Sequence, residues 1–280
     1  MYNARHIAVI SLVFAFCLFQ ACTASKKNVH GKVQDVANWV NTLHDSLHIK
    51  TYKNGMRTDK PNLVVVLHGD APFNNPGYQY ILASLIARQN TNTIAVAILR
   101  PGYTDSEGVR SPGIRGLTTG DNYTPQVVDG IAAAINNLKE LYHPGKTIIA
   151  GHSGGSAITA DIIGRHPGVA DAAVLVSCPC NVPEWRAHMK MLQHNAPIWD
   201  KPVKSLSPNT LVDSIDMRTK IVVVTGENDD VAPTALSVNY YKQLKQRGLD
   251  AQLVTVNGAG HEIFLTASVR NAVSTLLNSK

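Results

Sequence analysis

Between residues 63 and 256 short apolar runs alternate with longer stretches of helical period, and this alternation limits the architecture more than any other feature. Leu63-Val64-Val65-Val66-Leu67 is continuous and largely β-branched, the pattern of a strand covered on both faces. Strands are expected at 47–53, 63–67, 93–99, 146–151, 171–177, 220–225 and 251–256, with Asn54-Gly55 turning the chain after the first. Helices are expected at 77–89, 125–142, 154–165, 234–247 and 263–277. Strands joined by helices of this length lie parallel, because each crossover returns the chain to the same edge. The fold class is therefore α/β, a mainly parallel central sheet with helices on both faces, in one domain. Val33, Val36, Val40, Leu43 and Leu47 fall at helical spacing and predict a short helix at 33–45.

Two segments break the rhythm. Residues 100–124 are glycine-rich, and 178–219 carry five prolines and two tryptophans and are expected to form a small lid. Both follow the C-terminal ends of strands, where open α/β sheets build their crevices.

The first residues have another purpose. Arg5 precedes Ile7–Phe19, an apolar run of 13 residues. A spanning helix needs about 20, so the run matches the core of a secretory signal better. It closes on Phe19-Gln20-Ala21-Cys22, which resembles a bacterial lipobox but has Phe19 where leucine is usual. The expectation is a signal peptide of lipoprotein type at 1–22, a lead-in at 23–45, and membrane attachment by lipid at Cys22. The location is then the bacterial cell envelope or periplasm. Cleavage near Ala24 and an uncleaved anchor are the alternatives.

With 44% hydrophobic and 16% charged residues the remainder is globular rather than disordered. The formal charge of +6 is scattered, with no basic stripe interleaved with aromatics, so no nucleic-acid partner is expected.

The feature that carries chemistry is Ala150-Gly151-His152-Ser153-Gly154-Gly155, where a strand runs through G-x-S-x-G into a helix. On such a turn a serine is exposed at the sheet edge, and glycines are needed where a side chain would strike neighbouring backbone. The pattern alone is weak; its place between strand and helix strengthens it. A serine hydroxyl needs a base, and the base an orienting acid. Gly226-Glu227-Asn228-Asp229-Asp230 follows a later strand, and Gly258-Ala259-Gly260-His261-Glu262 follows the next. Ser153, Asp229 and His261 thus occur in the order Ser, Asp, His, in loops that open on one edge of the sheet. Asp230 is the alternative acid. The oxyanion hole is expected from the backbone amides of Gly154 and Asp70, the latter in Leu67-His68-Gly69-Asp70-Ala71-Pro72.

Those motifs, with RPGYTDS at 100–106, resemble the landmarks of the α/β-hydrolase superfamily over 46–280. From Ser207-Pro208 through GENDDVAP, YYKQLKQRG and GAGHEIF the chain is most similar to prolyl oligopeptidase-like and dienelactone-hydrolase-like serine hydrolases. The resemblance implies the α/β-hydrolase fold and no cofactor or metal. It does not carry peptidase specificity with it, since the oligopeptidases screen substrates with a propeller and only about 45 residues precede the fold here. The expected activity is cleavage of small carboxylic esters through an acyl-enzyme. Cleavage of short peptides or aminoacyl amides is the alternative, and a silent ligand-binding lipoprotein the alternative of another class.

Other candidates carry blander readings. His152 fills the variable position of its motif, and His68 is expected to fix its loop. His44 and His48 have the H-x-x-x-H spacing of helical zinc ligands, but Asp45 stands where glutamate is needed and no third ligand is evident. Cys178 and Cys180 are expected as thiols lining the mouth, because residues two apart rarely meet disulfide geometry; a redox-labile pair is the alternative. Trp185 and Trp199 are expected either to wall an acyl or leaving-group pocket or to pack within the lid. Arg100, Arg110 and Arg115 are expected as solvated charges, with an anionic substrate group as the sharper reading.

Overall fold

The apolar runs become adjacent strands of one sheet. The structure, a computed structural model, describes residues 38–55, 58–71 and 74–279. The chain divides into two units, 1–32 and 33–280, and the described residues belong to the second. The signal-peptide reading with Cys17 and Cys22 lies outside them. In chain order the strands are β1 (Trp39–Asn41), β2 (Ser46–Lys53), β3 (Asn62–Leu67), β4 (Thr93–Ile98), β5 (Lys146–His152), β6 (Ala172–Val176), β7 (Lys220–Gly226) and β8 (Ala251–Val256). The helices are α1 (Tyr78–Gln89), α2 (Pro125–Tyr142), α3 (Gly154–Arg165), α4 (Val182–Leu192), α5 (Thr234–Gln246) and α6 (Ala267–Asn278).

The sheet order is β1-β2-β4-β3-β5-β6-β7-β8. β2 pairs antiparallel with both β1 and β4, and the other neighbours are parallel, as helix crossovers require. Strand period sorts the core. Leu63, Val65 and Leu67 pack with Ile131 and Ile135 of α2, Ile158 of α3 and Leu244 of α5 on one face. Val64 and Val66 pack with Ile86 of α1 and Val273 of α6 on the other. Register then places the strand ends side by side: Leu67 lies beside Gly151, Gly151 beside Leu175, and Gly226 beside Val256. The loops after β3, β5, β7 and β8 therefore leave from one edge, although they are far apart in sequence.

The helix expected at 33–45 is not formed over its described part. Residues 39–53 make a hairpin, closed where Thr42 N–H donates to Asp45 C=O at 2.7 Å and Thr42 Oγ1 accepts from Asp45 N–H at 3.0 Å. Val40 and Leu47 are buried while Leu43, at the turn, is 59% exposed, so the helical spacing joined residues of a strand pair. The last helix begins at Ala267 rather than 263; Ile263 and Phe264 are buried in the preceding turn. Segment 178–219 contains α4, whose Asn181 cap accepts from Glu184 N–H and whose Pro183 sits in the first turn, where its missing N–H costs nothing. Three 3₁₀ turns follow it. Trp185, Met189 and Trp199 of this segment form a small apolar cluster with Ala232 and Leu236.

Candidate active site

Ser153 stands between β5 and α3 with φ 51° and ψ −120°, a conformation that L-residues rarely adopt. Its own N–H donates to Val176 C=O at 2.8 Å, and its C=O accepts from Ser156 and Ala157 N–H at 2.9 and 3.1 Å, starting the helix. The turn is tight enough to exclude side chains at its neighbours. A Cβ on Gly151 would lie 2.3 Å from Gly155 C=O oxygen, and one on Gly155 would lie 2.3 Å from that of His68. Two approaching backbones thus force two glycines of the motif.

Asp229 and His261 meet across the ends of β7 and β8. His261 Nδ1 is 3.0 Å from both Asp229 carboxylate oxygens. Oδ1 also accepts from Val231 and Ala232 N–H at 3.1 and 2.8 Å. Burial by itself would raise the Asp229 carboxyl, but the His261 hydrogen bond and charge, with help from the Ala232 amide, outweigh it and hold the group below its ordinary range. An ionised Asp229 fixes the proton on Nδ1 and leaves Nε2 free to accept one. Asp230 is exposed and offers only its carbonyl, to His188. Ser153 and the His261 ring line the same cavity. They do not form a hydrogen bond in this conformation, and such bonds commonly tighten only on binding.

The loop after β3 presents Asp70 opposite Ser153, and it is held from both sides. His68, fully buried, bonds Gly69 C=O through Nδ1 at 2.7 Å and accepts from Arg100 N–H through Nε2 at 3.0 Å. Gly69 C=O and Asp70 N–H belong to one peptide plane, so His68 orients that amide. Burial, followed by the Arg100 charge, keeps His68 well below its ordinary pKa and neutral, as two-way bonding requires. The Asp70 side chain is clamped by Arg100 at 2.9 Å, Gly120 N–H at 2.8 Å and the hydroxyls of Tyr103 and Tyr123 at 3.3 and 2.6 Å. Burial and the Asp70 charge push both phenols above their ordinary range, so they remain donors. The amides of Gly154 and Asp70 are engaged by no protein acceptor among the described residues.

Ser153, His261 and Asp70 line a cavity of about 650 Å³. Its far wall is Met189, Ile198, Trp185 and Trp199. Both tryptophans pack edge to face at 5.8 Å within segment 178–219 and also line the cavity. Two expectations are corrected here, and the zinc spacing loses its helix. Arg100 is 1% exposed and spent on Asp70 and His68 instead of solvated, while Arg110 and Arg115 are exposed as expected and lie off the cavity, so none meets a substrate anion there. Cys178 and Cys180 are joined as a disulfide and buried in the core beside α3, not open thiols at the mouth. His44 is at the hairpin turn and His48 in β2, so the helical zinc spacing is lost; among the described residues no His, Cys, Asp and Glu cluster could hold a metal. Tyr78, Tyr103, Tyr123 and Ser177 belong to the site beyond the residues expected from the sequence; of these only Tyr103 stands in a motif, RPGYTDS, that could have pointed to it.

The geometry can be set beside known proteins. No curated protein matches the chain significantly. Among solved structures it is similar to Pyrococcus horikoshii acylaminoacyl peptidase, with 14% identity, a TM-score of 0.63, and 85% of this chain covered. The chain spans only 39% of that protein's length. It is similar over nearly whole lengths to Est1E of Butyrivibrio proteoclasticus with ferulic acid bound, at 16% identity and TM-score 0.65, covering 86% of this chain and 98% of that one. A Pyrococcus furiosus esterase, PF2001, gives 16% identity and TM-score 0.63 over 88% of each chain. At such identities these likenesses show the α/β-hydrolase fold alone. The sequence profile of the prolyl oligopeptidase family matches residues 115–278, more than half of the chain and all three of Ser153, Asp229 and His261, and the chain belongs to that family.

Proposed function

We propose that this protein is a serine hydrolase that cleaves small carboxylic esters through an acyl-enzyme. One observation carries the reading: Ser153 on its strained turn, His261 bound through Nδ1 to Asp229, and Asp70 line one cavity, and the amides of Asp70 and of Gly154, next to Ser153, are engaged by no protein acceptor among the described residues. Ser153 Oγ attacks the carbonyl carbon as His261 Nε2 takes its proton, and Asp229 stabilises the resulting imidazolium. The two amides hold the oxyanion. His261 returns the proton to the leaving alcohol, and water then repeats the sequence to release the acid. The apolar wall of Met189, Ile198, Trp185 and Trp199 suits an acyl group, and similarity to Est1E and the PF2001 esterase over nearly the whole chain supports the ester. Membership of the prolyl oligopeptidase family favours a second reading, short peptides or aminoacyl amides.

A fluorophosphonate probe should label the wild type and not Ser153→Ala; an unlabelled wild type would remove the enzyme reading. Rates on p-nitrophenyl esters of increasing chain length beside aminoacyl-p-nitroanilides decide the substrate, and turnover of the anilides alone would overturn the ester. We further propose export and a lipid anchor at Cys22, supported by the apolar run 7–19 and the residues before Cys22. Cys22→Ser should release the protein from the membrane fraction, and its retention there would contradict the anchor.

A further inference from the structure

A chain of hydrogen bonds crosses beneath Ser153, and its polarity is determined at every link. Gly69 N–H donates to Tyr78 Oη at 2.6 Å. At the other end the His261 backbone carbonyl, which only accepts, lies 3.1 Å from His152 Nε2. His152 therefore carries its proton on Nε2, and its bare Nδ1 accepts from Tyr78 O–H at 3.0 Å. Burial, then the neighbouring His261 charge, lowers the His152 pKa to about 3, so the ring stays neutral and the sequence of bonds is kept. Phe264 holds both rings: it stacks on His152 at 5.1 Å and meets Tyr78 edge on at 5.7 Å. Ser177 Oγ adds a second donor to the His261 carbonyl at 3.1 Å.

The ends of this chain matter. One is the Gly69 N–H, in the peptide that precedes the one carrying the Asp70 amide, the expected oxyanion donor, and the other is the backbone of the expected general base. The middle member is the residue next to Ser153. We propose that Tyr78 and His152 are positioning residues, a relay that sets the Asp70 amide and the His261 ring at a fixed separation about Ser153. The inference rests on the hydrolase reading above. Neither side chain exchanges a proton with substrate in this scheme; Tyr78 Oη is committed to His152 on one side and to Gly69 on the other. A transition state needs the oxyanion donor and the base placed together, while ground-state binding in the cavity does not, so the relay acts on kcat.

The test is a kinetic cycle on the purified full chain with p-nitrophenyl butyrate, using Tyr78→Phe, His152→Leu, the double variant and His152→Gln. Each of the first two should lower kcat about 10- to 100-fold with KM within about twofold, because a misplacement of about an ångström is worth that much. Since both act through one chain, the double variant should be no more than about threefold slower than the worse single, whereas independent effects would multiply. His152→Gln, whose amide N–H can replace Nε2–H towards the His261 carbonyl, should recover part of the loss. Singles within twofold of wild-type kcat, losses that multiply, or a change confined to KM would overturn the relay. So would a slow Tyr78→Phe beside a fully active His152→Leu, which would make Tyr78 a direct participant. Should His152→Leu not fold, Tyr78→Phe and His152→Gln carry the same comparison. A wild type that neither reacts with fluorophosphonate nor turns over ester removes the hydrolase reading and the relay with it; an active wild type with unaffected variants removes the relay alone.

Discussion

Replacing Asp161 with asparagine should make the protein progressively more stable than the wild type as pH rises, by an amount set by one buried proton. The carboxyl sits on α3, fully buried, and neither oxygen has a hydrogen-bond partner among the described residues. Burial raises its pKa well above the ordinary carboxylate value, with the Arg165 charge acting in the opposite sense. The native protein thus keeps a proton that the unfolded chain releases above about pH 4. Because the folded pKa is the higher one, the stability from this group is complete below the unfolded pKa and declines as pH rises, by about 1.4 kcal/mol per unit, until the folded group ionises. From about pH 5 upward, for as long as the folded group keeps its proton, the wild type loses about 1.4 kcal/mol per unit that Asp161→Asn, which does not titrate, retains. Urea unfolding of both proteins across that range reads the difference directly, since His68, His152 and the other titrating groups are common to both and cancel. The gap should widen by about 1.4 kcal/mol per pH unit, equivalent to roughly 3–6 °C in Tm for a domain of this size. Parallel stability curves would refute the reasoning; a constant offset reflects only the exchange of one buried polar group for another.

Three further outcomes follow from the site. Asp229→Asn should lower kcat about 10³- to 10⁴-fold, because an amide no longer secures the Nδ1–H form of His261, whereas Asp230→Asn should stay within about twofold in the same ester assay. Gly155→Ala puts a methyl group 2.3 Å from the His68 carbonyl oxygen, and should cost about 3 kcal/mol or more in urea unfolding. Cys178 and Cys180 should resist maleimide in the folded protein and react only after unfolding with a reductant, read by mass; labelling of either in the folded, unreduced protein would contradict the disulfide.

Much of the architecture was legible because period and punctuation agreed. The helices expected at 125–142 and 154–165 form over those residues, the first behind a Thr124-Pro125 cap and the second out of the Ser153 turn. The errors came where local pattern was ambiguous. Apolar residues three and four apart occur across a hairpin as well as along a helix, so β1 was read as helix. Segment 178–219, with its five prolines, stands outside the expected strand and helix rhythm, yet Pro183 occupies the first turn of α4, the part of a helix that tolerates it. A separation of two residues argues against a disulfide, yet the turn after β6, where Ser177 has φ 49°, brings the two cysteine Cα atoms to 5.1 Å.

By itself the sequence determined the fold class and the identity of Ser153, Asp229 and His261 as candidates, because strand period, glycine punctuation and motif order are properties of neighbouring residues. Only the tertiary structure decided what surrounds them. Whether Arg100 meets substrate or Asp70, which carboxylate binds His261, which histidine nitrogen carries the proton, and whether Asp161 finds a partner all depend on groups that converge from different parts of the chain. Those choices are set by burial and by the need of each buried polar group for a partner, and neither is a property of a residue's place in the chain.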